Sequence, residues 1–109
     1  MKVRLLTSAT IEDFVLNHAN GKKHFDKWLE GIKTTDWLEP VDITHWFNAN
    51  LLGSNRVVFD IGGNGRNAFR MICTYDFGRK FVQLYVNWIG THEEYNRLTN
   101  EVKMTVWAY

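Results

Sequence analysis

Arg56-Val57-Val58-Phe59-Asp60-Ile61-Gly62-Gly63-Asn64-Gly65-Arg66-Asn67-Ala68-Phe69-Arg70-Met71-Ile72-Cys73-Thr74-Tyr75 is the stretch that decides the fold. Its first six residues are rich in β-branched and aromatic side chains, the composition of a pleated strand. Gly62-Gly63-Asn64-Gly65 is turn chemistry, because Gly and Asn tolerate positive φ. From Asn67 to Tyr75 the sequence alternates, with Phe69, Met71, Cys73 and Tyr75 on one face and Arg70, Ile72 and Thr74 on the other. Gly63 to Ala68 formally fits G-x-G-x-x-A directly after a strand. A dinucleotide loop would require a helix next, inside a parallel unit. The residues after Ala68 instead have period two and reach a further turn, Asp76-Phe77-Gly78. The stretch therefore predicts an antiparallel hairpin. A phosphate could still meet the backbone amides of such a turn, with Arg66 beside it.

Reading outward toward the C-terminus, Phe81 to Trp88 is a third strand. Ile89-Gly90-Thr91-His92-Glu93-Glu94-Tyr95 comes directly after it and begins a short polar helix. Val102 to Val106 alternates again and is expected to add an edge strand. Toward the N-terminus, Val3 to Leu6 is a short strand. Thr10 reads as a helix N-cap with Asp13 three residues on, and Asn20-Gly21 ends that helix. A second helix runs from about Lys22, with Phe25, Trp28, Leu29 and Ile32 on one face at core spacing. Pro40 closes this helical half by disfavouring helix at Glu39. Thr44-His45-Trp46-Phe47 is compatible with a short helix or a strand. The order strand, two helices, antiparallel meander, short helix reads as one α+β domain over residues 1–109.

Composition narrows the setting. A chain of 109 residues with 45% hydrophobic and 23% charged content suits one globular core. The aromatic share of 15%, with five tryptophans, points to an aromatic core or contact surface. Met1 to Leu6 carries no apolar h-region, and no apolar run reaches the ~18 residues of a membrane span. Cys73 has no second cysteine to pair with, so a cytoplasmic setting is expected and Cys73 reads as a small buried strand residue. The net charge of +1 is unevenly distributed, since residues 56–80 carry five Lys/Arg against two Asp/Glu. That is a local basic region, suited to an anionic ligand at one place.

His18, His24, His45 and His92 form no ligand pair at helical or strand spacing, and one cysteine cannot build a zinc site, so neither metal nor cofactor is expected. Thr91 and Glu94 form a capping box, which accounts for both of them. His92 and Tyr95 are left over, three apart on one helical face. A positioned histidine moves protons near neutral pH, and a tyrosine hydroxyl can donate while its ring stacks on a base.

The strings VVFDIGGNGRNAFRMI and WIGTHEEYNRL together resemble the HigB family of toxins from type II toxin–antitoxin modules, within the wider RelE-like ribonucleases. The similarity is strongest from Arg56 to Leu98 and continues more loosely through the Trp28 to Trp37 helical segment. Family members have a strand, a Gly-Asn hairpin ending in an arginine, a further strand and a Thr-His-x-x-Tyr turn. Here these are VVFDIGGN, Arg70 and Thr91-His92-Glu93-Glu94-Tyr95. Gly65-Arg66-Asn67 makes this hairpin longer than the common form.

The resemblance implies a RelE-like α+β fold and a ribosome-associated toxin that cleaves mRNA and is neutralised by a HigA-type helix-turn-helix antitoxin, away from any membrane. RNA cleaves itself when its 2′-hydroxyl is deprotonated and aligned with the scissile phosphate. The protein then needs a base, a cation on the phosphate and a donor for the leaving oxygen, with no metal. Arg70 leads as the phosphate-holding guanidinium, with Arg66 second. His92 is the expected acid or base, and Tyr95 its base-stacking or proton-positioning partner. Lys80 and Arg56, with Asn64 in the turn, are the further RNA-binding candidates. Solvated surface charge is the competing reading of Lys80 and Arg56. A module of another class, blocking translation by occupying RNA or the ribosome without cleavage, would use the same basic hairpin.

Overall fold

The computed structural model describes residues 1–63 and 68–109. Five strands form one sheet in the order β1-β5-β4-β3-β2, with β1 (Lys2–Leu5), β2 (Ala49–Gly53), β3 (Arg56–Ile61), β4 (Phe69–Phe77) and β5 (Phe81–Thr91). β2 to β5 pair antiparallel as a meander, and β1 joins β5 in parallel. The decisive stretch is indeed a hairpin, with Val57 opposite Cys73 and Asp60 opposite Arg70. Helices α1 (Ser8–Leu16), α2 (Lys22–Thr34) and α3 (Val41–Trp46) cover one face. Short helices α4 (His92–Asn96) and α5 (Asn100–Thr105) lie on the other. The architecture is α+β, as the RelE-like reading expected.

The larger core lies on the helical face, where Phe25, Trp28 and Ile32 of α2 meet Phe59, Phe69 and Met71. Trp28, Phe47 and Phe59 pack edge-on or tilted at 5.1 to 6.0 Å between centroids, so much of the aromatic excess serves this core. Cys73 is wholly buried here on β4, and burial pushes its thiol far above the ordinary range. Val58, Ile72 and Tyr95 form a second, smaller cluster on the opposite face, backed by Trp88, Leu98 and Val106.

Several elements depart from the sequence reading. The first helix begins after Thr7, not at Thr10, and no side chain caps it. The Thr7 hydroxyl is committed elsewhere, accepting the Val86 amide at 2.9 Å. Pro40 begins α3 and does not close a helical half. The first turn of a helix has no use for the missing N–H, and Asp42 accepts the Leu38 and Glu39 amides at 2.8 and 3.1 Å. β2 was not anticipated: it is short and Asn/Gly-containing, held by pairing with β3 across Ser54-Asn55, both at positive φ (52° and 59°). Val102 to Val106 falls largely within helix α5 and is not an edge strand. The Thr99 hydroxyl accepts the Val102 amide at 3.2 Å and starts a helix there.

Candidate functional site

Strand β5 reaches the site only because its alternation is broken once. Val82, Leu84 and Val86 face the large core, and so does Ile89. A register shift opposite Ile72 and Cys73 inserts Asn87 as an extra residue. The bulge turns Trp88 and Gly90 to the face that carries Arg70 and Ile72. Most of its polar groups find partners, although Asn87 Nδ2 is buried without one. Thr7 accepts from Val86 N, Ala108 N donates to Asn87 O at 2.7 Å, and Thr74 Oγ1 donates to Asn87 Oδ1 at 2.7 Å. Without the bulge, everything from Trp88 onward would stand on the wrong side of the sheet.

Beyond the bulge, Gly90 leaves room that no other residue would. A Cβ there would come 2.4 Å from the Trp88 ring, which lies against the glycine. Thr91 then starts α4 with the expected capping box. Its hydroxyl accepts Glu94 N at 3.1 Å, and Glu94 Oε1 accepts Thr91 N at 2.8 Å. His92 N donates to Ala68 O at 3.0 Å, tying the first turn of α4 to the start of β4.

These local choices bring Arg70, His92 and Tyr95 together with Asp60. Arg70 Nη2 stands 3.1 Å from His92 Nδ1. A guanidinium only donates, so Nδ1 accepts and the neutral ring carries its proton on Nε2. Asp60, the cross-strand partner of Arg70, approaches Arg70 Nε to 2.8 Å. That approach is an ion pair without a directed hydrogen bond, since Nε and Oδ1 both remain without an aligned partner. Arg70 is thus held in place by charge with part of its donor fork uncommitted, the condition for engaging a phosphate. Asp60 is the site residue the sequence reading missed. Only the observed register, which sets it opposite Arg70, reveals it.

Tyr95 lies under the Arg70 guanidinium, 5.4 Å from its ring centroid, with Lys103 Nζ at 4.3 Å and Trp88 at 6.1 Å. The residue is only 7% exposed. A ring so enclosed is not placed to stack on a base, which departs from that part of the expectation, and it instead supports Arg70 through a cation–π contact. Burial raises the Tyr95 pKa, with Arg70 pulling the other way and Asp60 adding to the rise.

The remaining candidates stand apart. Arg56 is 6% exposed and donates to the carbonyls of Lys103 and Val106 at 3.3 and 2.6 Å, holding the end of α5. Neither RNA binding nor solvated surface charge describes that placement, because its donors are spent on the chain itself. Lys80 is exposed in the turn before β5, at the opposite end of that strand from Gly90. Arg66 and Asn64 lie outside the described residues. His18, His24 and His45 belong to the helical side, His18 stacking on Phe14 at 4.0 Å. A groove of about 520 Å³ between α2, α3 and the end of β3 is lined by His24, Lys27, Trp28 and Phe47. It also takes in Asp60, Gly62 and Gly63 at the end of β3, so it reaches the carboxylate that faces Arg70, whereas Arg70, His92 and Tyr95 do not line it.

A family model described as HigB_toxin, the RelE-like toxic component of a toxin-antitoxin system, matches residues 21–98, well over half of the chain. No curated protein matches it. The matched span contains Asp60, Arg70, His92 and Tyr95, and it leaves out β1, α1, α5 and the C-terminal tail.

Proposed function

The chain belongs to the HigB family of RelE-like toxins, and from that premise we propose that it is an endoribonuclease that cuts mRNA by activating the RNA's own 2′-hydroxyl. As the toxic half of a toxin–antitoxin pair it has an antitoxin partner. We take that partner to be of the HigA helix-turn-helix type, and the cleavage to occur at the ribosome in the cytoplasm. No described helix is long and apolar enough to cross a membrane.

The 2′-oxygen loses its proton and attacks the adjacent phosphorus while the bond from phosphorus to the 5′-oxygen breaks. The products are a 2′,3′-cyclic phosphate and a free 5′-hydroxyl, so one proton leaves and one returns. Arg70 meets the phosphate oxygens and stabilises the charge that builds on them in the transition state. His92 moves the proton. Its Nδ1 is freed to accept when Arg70 turns from the ring to the phosphate. Asp60 and Tyr95 are positioning residues, acting through Arg70. The observation that supports this reading is the 3.1 Å contact of Arg70 Nη2 with His92 Nδ1, beside Asp60 and over Tyr95. Inducing the chain without its antitoxin and mapping transcript ends tests it. New 5′-hydroxyl ends within translated regions are expected, and translation arrest with intact transcripts would favour blockade by occupancy.

A further inference from the structure

The sheet face that carries Arg70 continues along β5 away from the site, and there it holds ring after ring in partial exposure. Phe81 and Tyr85 are half-buried on β5. The C-terminal tail adds Trp107, 57% exposed, with its ring 6.3 Å from Tyr85. Arg4 on the neighbouring β1 lays its guanidinium 3.9 Å over Phe81. Lys2, Arg4, Arg79 and Lys80 are exposed at this end. Among the described residues, none of these four cations is within ion-pair distance of a carboxylate. Asp76, opposite Gln83, is the carboxylate on the adjoining stretch of β4.

Rings with unpaired cations beside them match the two parts of a nucleotide: flat bases for the rings and phosphates for the cations. A duplex keeps its bases stacked inside, so an unpaired strand is the form that fits. Core-forming rings would be closed off, as Phe59 and Phe69 are on the opposite face. Lys2, Arg4 and Trp107 also lie outside residues 21–98, so this face draws on parts of the chain beyond the family match.

We propose that Phe81, Tyr85 and Trp107, with Arg4, form a track for single-stranded RNA that extends the substrate to one side of the Arg70–His92 pair. The inference rests on the RNA-cleaving reading of that pair for its direction. Tyr85 is five residues from Gly90, and Gly90 pairs with Arg70. The bulge adds no length, and Tyr85 pairs with Thr74, four residues from Arg70. At about 3.3 Å per residue, Tyr85 therefore stands roughly 13 Å and Phe81 roughly 26 Å from the site along the strand. That length suits a run of about four to six nucleotides, at the small end of single-strand site sizes. Because the track leaves the site in one direction, it engages only the 5′ or only the 3′ flank.

The test is equilibrium binding of fluorescent 2′-O-methyl RNA, which cannot be cleaved. It compares a core oligomer with forms extended by about six nucleotides on either side. Wild type is expected to gain affinity from one extension and not the other. F81A and Y85A, checked for folding by circular dichroism, are each expected to lose about 5- to 100-fold of that gain, the usual worth of a base–aromatic stack. Equal gain from both extensions, or variants that bind the extended RNA like wild type, would overturn the track. So would variants that lose only the antitoxin, because the face would then belong to a protein. H92A keeps the one-sided gain if the track is right, whether or not wild type cuts RNA. Absence of cutting therefore removes the catalytic reading alone.

Discussion

Arg70 and His92 lie 22 residues apart in sequence, and their side chains meet at 3.1 Å on the sheet face opposite α1, α2 and α3. Two independent devices create that meeting. The hairpin register sets Arg70 opposite Asp60, and the Asn87 bulge turns the end of β5 so that α4 starts on the same face.

The fork of Arg70, not its charge alone, is expected to hold the phosphate. Arg70→Lys keeps the charge and loses the planar donors, so cleavage should fall nearly as far as in Arg70→Ala. A decrease of about 10²-fold or more is expected for both, the scale of a lost transition-state donor. Cleavage rates on a defined transcript decide it, and a fully active lysine variant would restrict Arg70 to charge.

Asp60→Ala removes the carboxylate that faces Arg70, whose side chain is only 13% exposed. An unpaired guanidinium would remain, at a cost of about 3 kcal/mol. Urea unfolding should show a lower midpoint. Cleavage should fall through kcat more than KM, because Asp60 acts by orienting Arg70 and does not bind substrate itself. An unchanged midpoint would mean that the 2.8 Å approach contributes nothing.

Gly90→Ala should destabilise the fold by about 1–3 kcal/mol, the usual range for an overpacked position, because the added methyl meets the Trp88 ring. Trp88→Leu in the same chain should recover part of that loss. If the two losses simply add, the clash is not between these residues.

Alkaline pH should weaken the fold through its buried phenols. Burial raises the pKa values of Tyr95 and Tyr75. The folded state then holds these protons more tightly than the unfolded chain, whose tyrosines titrate near about 10. Their contribution is fully present below that value and declines as pH rises through the folded pKa. Unfolding midpoints from about pH 8 to 11 should fall at the top of the range, and Tyr95→Phe should soften the fall. The same burial predicts that Cys73 resists thiol reagents until the chain unfolds.

The hairpin, α2 and the capping box were legible because each rests on local chemistry: period two, a 3.6-residue stripe, a Thr-x-x-Glu start. What was not legible depends on distant partners. Thr7 looks like any residue near a helix start until Val86 claims its hydroxyl. Asn87 becomes a bulge only where β4 offers one residue against two. Val102 to Val106 alternates like a strand, yet Thr99 caps a helix that runs through most of it. Arg56 read as an RNA-binding or solvated cation because nothing local shows that the carbonyls of Lys103 and Val106 will take its donors. Tyr95 read as a base-stacking or proton-positioning residue because its covering neighbours Lys103 and Trp88 are not adjacent to it in sequence.

The central claim is that His92 moves the proton in RNA cleavage with Arg70 beside it. Transcript 5′ ends mapped after induction without antitoxin, in wild type and in a folded His92→Ala variant, test it most directly. New 5′-hydroxyl ends in wild type, reduced by about 10²- to 10⁴-fold in the variant, are the predicted result. Equal cleavage in both, or growth arrest with no new ends in either, would contradict it.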